Sequence, residues 1–116
     1  MRRTALQYLD DILEATGNIE EETKGISYDE FAADRRRRDA VIRNFQVIGE
    51  AIKNLPEDLK TTYPDTDWKK IAGFRDVLTH VYFGIKDTIL WDNATNKLPD
   101  LKKKIRHILR IETKRT

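Results

Sequence analysis

Cysteine is absent from this chain of 116 residues, which excludes a disulfide framework, a thiolate nucleophile and any zinc site built on Cys. The same absence fits a reducing compartment. No apolar run is long enough to span a bilayer. Behind Met1-Arg2-Arg3, a segment holding Gln7, Asp10, Asp11 and Glu14 interrupts what a signal peptide would keep apolar. A soluble protein of the cytoplasm is the simplest expectation. Neither sign of charge dominates: the formal net charge is +2 and the pI is near 8.9. A nucleic-acid site would therefore rest on local clusters rather than on bulk charge.

Charged residues make up 36% of the chain and hydrophobic residues 39%, the balance of a helical protein whose apolar side chains sit in narrow stripes. At this length roughly two thirds of the unfolded surface can be buried, so residues 1–116 are expected to form one domain. Leu6, Leu9, Leu13 and Thr16, with Ile12 beside them, recur at three- and four-residue steps and predict a helix from about Thr4 to Glu22. Asp10, Asp11, Glu14 and Glu20 to Glu22 form its solvated face; with no His near them they are not read as metal ligands. Gly25 breaks the pattern.

Ser27 with Glu30 three residues on is a capping box, opening a short helix that turns Phe31 inward. The run Arg35, Arg36, Arg37 and Arg38 leads into a long helix whose seam is Val41, Phe45, Ile48, Ile52 and Leu55. That arginine run reads first as a solvated helix start and second as an RNA contact. Gly49 lies on the same helix, at about 1 kcal/mol relative to Ala, and marks close helix packing. Pro56 ends the seam. Residues 62–65 are expected to be extended before Pro64, and Asp67 to cap a helix from Trp68 to Trp91 with the core stripe Ile71, Phe74, Val77, Leu78, Val81 and Ile85. The two tryptophans read as packing anchors. Asp92, Asn93 and Asn96 suggest a loop, and Pro99 the first turn of a last amphipathic helix carrying Leu101, Ile105, Ile108 and Leu109. No strand or repeat is visible. The fold class is all-α: a bundle of four long or medium helices with one or two short ones.

The third of the four long helices carries Arg75-Asp76-Val77-Leu78-Thr79-His80, then Val81-Tyr82, an RxxxxHxY pattern. A guanidinium is a permanently charged fork for phosphate, and an imidazole exchanges a proton near neutral pH. At 100 degrees per residue, Arg75 and Tyr82 share one flank. Asp76 and His80 share the other, with Thr79 and Phe83 between the two groups. Asp76 can therefore accept a hydrogen bond from His80 and fix its ring. Arg75 and His80 are about 140 degrees apart on an ideal helix, and they converge on one phosphate more easily if two copies of the helix face each other across a twofold axis. Phe83, pointing away from the core, also suggests a partner surface. Taken by themselves, these residues more simply describe an ordinary helix surface.

The chain resembles the HepT-like branch of the HEPN superfamily along its whole length. The resemblance is carried in order by Tyr8 to Glu14 (Tyr-Leu-x-Asp-Ile-Leu-Glu), Val47 to Ala51 (Val-Ile-Gly-Glu-Ala), Tyr63-Pro64 leading to Trp68, Ile71 to Phe83 around the motif, and Leu98-Pro99-x-Leu101. It implies a HEPN-type helical homodimer acting as a metal-independent endoribonuclease toxin of a two-gene, type VII toxin-antitoxin pair. It also implies an MntA-type nucleotidyltransferase partner that silences the toxin by moving AMP from ATP to the motif tyrosine. Carried over by position, Arg75 and His80 are the catalytic pair, Asp76 and Thr79 support them, and Tyr82 is the modified residue. No resident cofactor is implied, ATP serving only the partner. Asp76 departs from the Asn often found after the motif arginine. The competing reading is a non-catalytic helical subunit that binds substrate for, or regulates, a minimal nucleotidyltransferase.

Overall fold

Four helix starts carry a side-chain oxygen that answers amides left without an intrahelical partner. Thr4 accepts from the Gln7 amide at 3.2 Å while Gln7 accepts from the Thr4 amide at 2.8 Å. Ser27 and Glu30 form the same reciprocal box, both bonds 3.1 Å. Asp34 accepts from the Arg37 amide at 3.2 Å, and Asp67 from the Lys70 amide at 3.1 Å. A computed structural model describes residues 4–80 and 86–115, with the backbone alone for residues 79 and 80. Its helices are α1 (Ala5–Thr23), α2 (Tyr28–Ala33), α3 (Arg35–Asn54), α4 (Glu57–Thr62), α5 (Trp68–His80), α6 (Asp87–Asp92) and α7 (Leu98–Arg115). A π-helical turn, Asn93–Lys97, joins α6 to α7. The long or medium helices are α1, α3, α5 and α7, and no strand occurs among the described residues.

Three local expectations give way. Pro64 and Asp65 form a turn rather than an extended segment, closed by the Thr66 amide donating to the Tyr63 carbonyl at 3.5 Å. Trp68 to Trp91 is not one helix, because Lys86 is extended (φ −73, ψ 138) and α6 starts after it. Residues 92–97 are helical, not a loop. Their polar side chains bond back along the helix: Asn93 to the Ile89 carbonyl (2.9 Å), Thr95 to the Trp91 carbonyl (2.7 Å) and Asn96 to Asp92 (2.8 Å). The turn widens there, the Leu98 amide reaching the Asn93 carbonyl. Pro99, which has no amide and crowds the carbonyl four residues back, is accommodated just past such a widened turn.

α1 packs against α3 and α7, and α3 packs on its other side against α5. Leu9, Ile12 and Ile19 of α1, Val41, Ile48 and Ile52 of α3, and Ile105 and Ile108 of α7 meet in one cluster at 1% exposure or less. Burial of each such side chain stabilises by about 1.5–3 kcal/mol. The α1 stripe centres on Ile12, with Leu13 half-buried. Thr16 is fully buried and donates its hydroxyl to the Leu13 carbonyl at 2.7 Å, which removes the cost of an unmet polar group. Trp91 anchors α6 on α2, its ring 5.2 Å from Phe31 and 6.1 Å from Tyr28.

Three contacts set the position of α5. Phe74 meets Phe45 of α3 edge to face at 5.2 Å and 87°, a favoured aromatic geometry. Trp68 is buried and donates its indole N–H to the Tyr63 carbonyl at 3.0 Å. Leu78 is buried near the other end. Val77, expected in the core, is 46% exposed instead. Val81 and Ile85 of the expected stripe lie outside the described residues.

Candidate active site

Gly49 decides how close α5 comes to α3. A Cβ built on it would lie 2.2 Å from the Cβ and 2.9 Å from the Cγ of Arg75, distances no side chain tolerates. Only a hydrogen at position 49 lets the stem of Arg75 cross the backbone of α3. The next residue of α3 then meets the head group: Arg75 Nη2 lies 3.1 Å from Glu50 Oε2. Arg75 Nη1 is 3.3 Å from Asp76 Oδ1, so carboxylates from two helices hold the fork. The pairs are partly solvated, Glu50 and Asp76 being 57% exposed, and such pairs contribute little to stability. Their consequence is orientation. Arg75 borders a shallow concavity of about 410 Å³ shared with Arg43, Gln46, Val47 and Glu50 of α3.

Asp76 pairs with Arg75; the bond expected from His80 to Asp76 falls on a side chain outside the described residues. Thr79 and His80 form the last turn of α5, and their side chains lie outside the described residues. Five residues of helix separate Arg75 from His80 by about 7.5 Å along the axis. Tyr82 and Phe83 lie outside the described residues as well.

The arginine run divides in two. Arg37 bonds Asp34 (3.1 Å) and the Glu22 carbonyl (3.0 Å), and Arg38 pairs with Asp87 at 3.4 Å, tying α3 to α6. Arg35 and Arg36 are exposed. Glu50 and Arg43 were not singled out from the sequence as site residues. The adjacent Gly49-Glu50 in the central motif is the one signal that could have found Glu50, since a tight crossing followed by an acid has a use where an arginine passes; no comparable signal marks Arg43. Among the described residues no three His, Cys, Asp or Glu side chains gather as metal ligands.

A bundle of this order, with an RxxxxHxY arginine held where two of its long helices cross, is a HEPN-type helical protein. The chain belongs to the HepT-like family, described as Ribonuclease HepT-like, which matches residues 12–108. It is 47% identical over 103 residues to "Putative RNase MJ0127" of Methanocaldococcus jannaschii, covering 89% of this chain and 85% of that one. It is 42% identical to "Probable ribonuclease HepT" of Thermococcus cleftensis, covering 90% and 94%. To "Putative RNase TTE0752" of Caldanaerobacter subterraneus subsp. tengcongensis it is 38% identical, covering 95% and 98%. No solved structure matches the chain significantly. No helix among the described residues is long and apolar enough to cross a membrane.

Proposed function

We propose that the chain is a metal-independent endoribonuclease that cuts RNA with Arg75 and His80. One observation carries this reading: the guanidinium of the motif arginine is fixed at the rim of an open concavity by a helix crossing that only glycine permits. In the reaction the ribose 2′-oxygen attacks phosphorus and the bond to the 5′-oxygen breaks. One proton leaves the 2′-hydroxyl and another reaches the departing 5′-oxygen. His80 serves this proton traffic, and Arg75 stabilises the charge that grows on the phosphoryl oxygens. Thr79 supports the pair, Asp76 holds the free guanidinium until a phosphate displaces it, and Arg35 and Arg36 add contacts to the RNA, with Arg37 and Arg38 behind them. Five helical residues put positions 75 and 80 about 140 degrees apart, and in this reading a second copy of the chain completes the cleft.

The regulatory part of the reading rests on the family resemblance. An MntA-type nucleotidyltransferase, the antitoxin of the pair, transfers AMP from ATP to Tyr82. Seven residues on from Arg75, Tyr82 falls on the same flank in the helical reading of the sequence. A bulky anion there occupies the arginine and blocks the phosphate of RNA. Intact-mass measurement after incubation with the partner and ATP tests this; inhibited protein with Tyr82 unmodified would overturn it.

End-group analysis tests the cleavage chemistry. A 2′,3′-cyclic phosphate and a 5′-hydroxyl are expected, with no cut at a nucleotide whose 2′-hydroxyl is replaced by hydrogen. Products ending in 3′-hydroxyl and 5′-phosphate would contradict the assignment.

A further inference from the structure

Charge is unevenly shared along this chain. α7 holds seven of the lysines and arginines (Lys102, Lys103, Lys104, Arg106, Arg110, Lys114, Arg115) against Asp100 and Glu112. The chain has 22 basic and 20 acidic residues in all, which leaves fifteen against eighteen elsewhere. The near-neutral total thus conceals a cationic last helix on a mildly anionic body.

The helix also sorts its cations. Lys102 pairs with Glu20 of α1, Lys104 with Asp100 at 2.9 Å and Arg115 with Glu112 at 3.7 Å. Lys103, Arg106, Arg110 and Lys114 are exposed and make no ion pair with any described residue. At 100 degrees per residue these four fall within an arc of about 80 degrees, His107 beside them, and span about 16 Å along the axis. No acidic residue falls within that arc. The opposite face carries Leu101, Ile105 and Ile108 into the core, so the stripe cannot turn inward. Beside it a concavity of about 460 Å³ opens between α7 and the turn after α4, with Lys103, His107 and Arg110 on one wall and Tyr63 and Pro64 on the other. Asp65 and Asp100 also border it. A row of cations with no ion-pair partner among the described residues, along one helix, matches a phosphodiester chain, whose charges recur at regular short spacing.

We propose that the outward face of α7, through Lys103, Arg106, Arg110 and Lys114, is a track for the RNA backbone, separate from the Arg75 site. It builds on the ribonuclease reading by giving the substrate a second, sequence-independent hold. Contacts of this kind contribute affinity and salt dependence, whereas the reacting groups contribute rate.

The test uses the full chain and a short oligoribonucleotide methylated at every 2′-oxygen, which binds but is not cut. Affinity is measured against salt for wild type, Lys103→Gln/Arg106→Gln, Arg110→Gln/Lys114→Gln and a control pair, Lys24→Gln/Lys53→Gln, which removes the same charge from other exposed positions. Each α7 pair is expected to weaken binding at low salt about tenfold or more. Each should also flatten the log–log salt slope by about 1.4, near 0.7 per lost contact. The control should leave the slope within error of wild type. Unchanged slopes in both α7 variants, or an equal change in the control, overturn the track and leave the stripe for an acidic protein partner. Binding without any cleavage of unmodified RNA would instead sink the ribonuclease reading while leaving the track standing.

Discussion

Gly49 of α3 and the stem of Arg75 of α5 occupy positions where one added carbon would sit 2.2 Å from Cβ of the arginine. The crossing therefore ties the placement of a candidate catalytic group to the absence of a side chain on another helix. Gly49→Ala is expected to force the helices apart, destabilising by about 1–3 kcal/mol as overpacking does and lowering RNA cleavage. Gly17→Ala in α1, with nothing within 4 Å of the added carbon, should instead stabilise by about 0.5–1 kcal/mol. Thermal unfolding of both variants checks the pair of signs.

On the proposed reading, Asp76 competes with RNA for Arg75. Its carboxylate lies 3.3 Å from the guanidinium and is largely exposed, so a substrate phosphate has to displace it. Asp76→Asn is expected to lower KM several-fold, with a change in thermal midpoint below about 1 kcal/mol equivalent. A raised KM in steady-state cleavage would show the carboxylate to be a support for the arginine instead.

Asp34 closes α2 and caps α3, with its carboxylate on the Arg37 amide at 3.2 Å and the Arg37 Nε at 3.1 Å. Asp34→Ala should cost about 1–2 kcal/mol, the upper range for a lost cap. Urea unfolding should show a lower midpoint at unchanged slope.

Tyr63 donates its hydroxyl to Glu112 and so fastens the turn before α5 to α7. Burial raises the phenol's pKa above the usual value near 10, and the hydrogen bond and charge of Glu112 raise it further, against a smaller opposing effect of Arg115. A raised folded-state pKa means that the folded chain holds the proton longer than the unfolded chain. The contribution is full below about pH 10 and fades as pH rises through the folded value. Tyr63→Phe should therefore unfold at lower temperature than wild type near neutrality. The gap between the two should close at strongly alkaline pH.

Caps and stripes made most of this fold legible beforehand. Ser27 with Glu30, Asp67, the α3 seam and the buried Phe31 act through neighbours a few residues away, and such local chemistry is written in spacing. Residues 92–97 misled for the converse reason: Asn and Thr side chains that favour loops can also bond back to a helix carbonyl, and which outcome wins depends on tertiary packing. Val77 misled because periodicity cannot reveal that α5 is covered chiefly by α3. At the site, Arg75 and its motif were visible in the sequence, whereas Glu50 as its partner was not. That pairing depends on a helix crossing, which no single-helix pattern encodes. The α7 stripe was hidden by the balanced total charge, and only the pairing of Lys102 and Lys104 with acids shows which cations remain for a partner.

The central claim is that Arg75 and His80 cut RNA together without a metal. The most direct measurement is the single-turnover cleavage rate of end-labelled RNA, in excess chelator, for wild type, Arg75→Ala and His80→Ala. Wild type should keep its full rate in chelator, and each variant should fall at least about 100-fold, the scale of a lost acid-base or charge-stabilising group. Equal rates in all three proteins, or loss of wild-type activity on chelation, would contradict it.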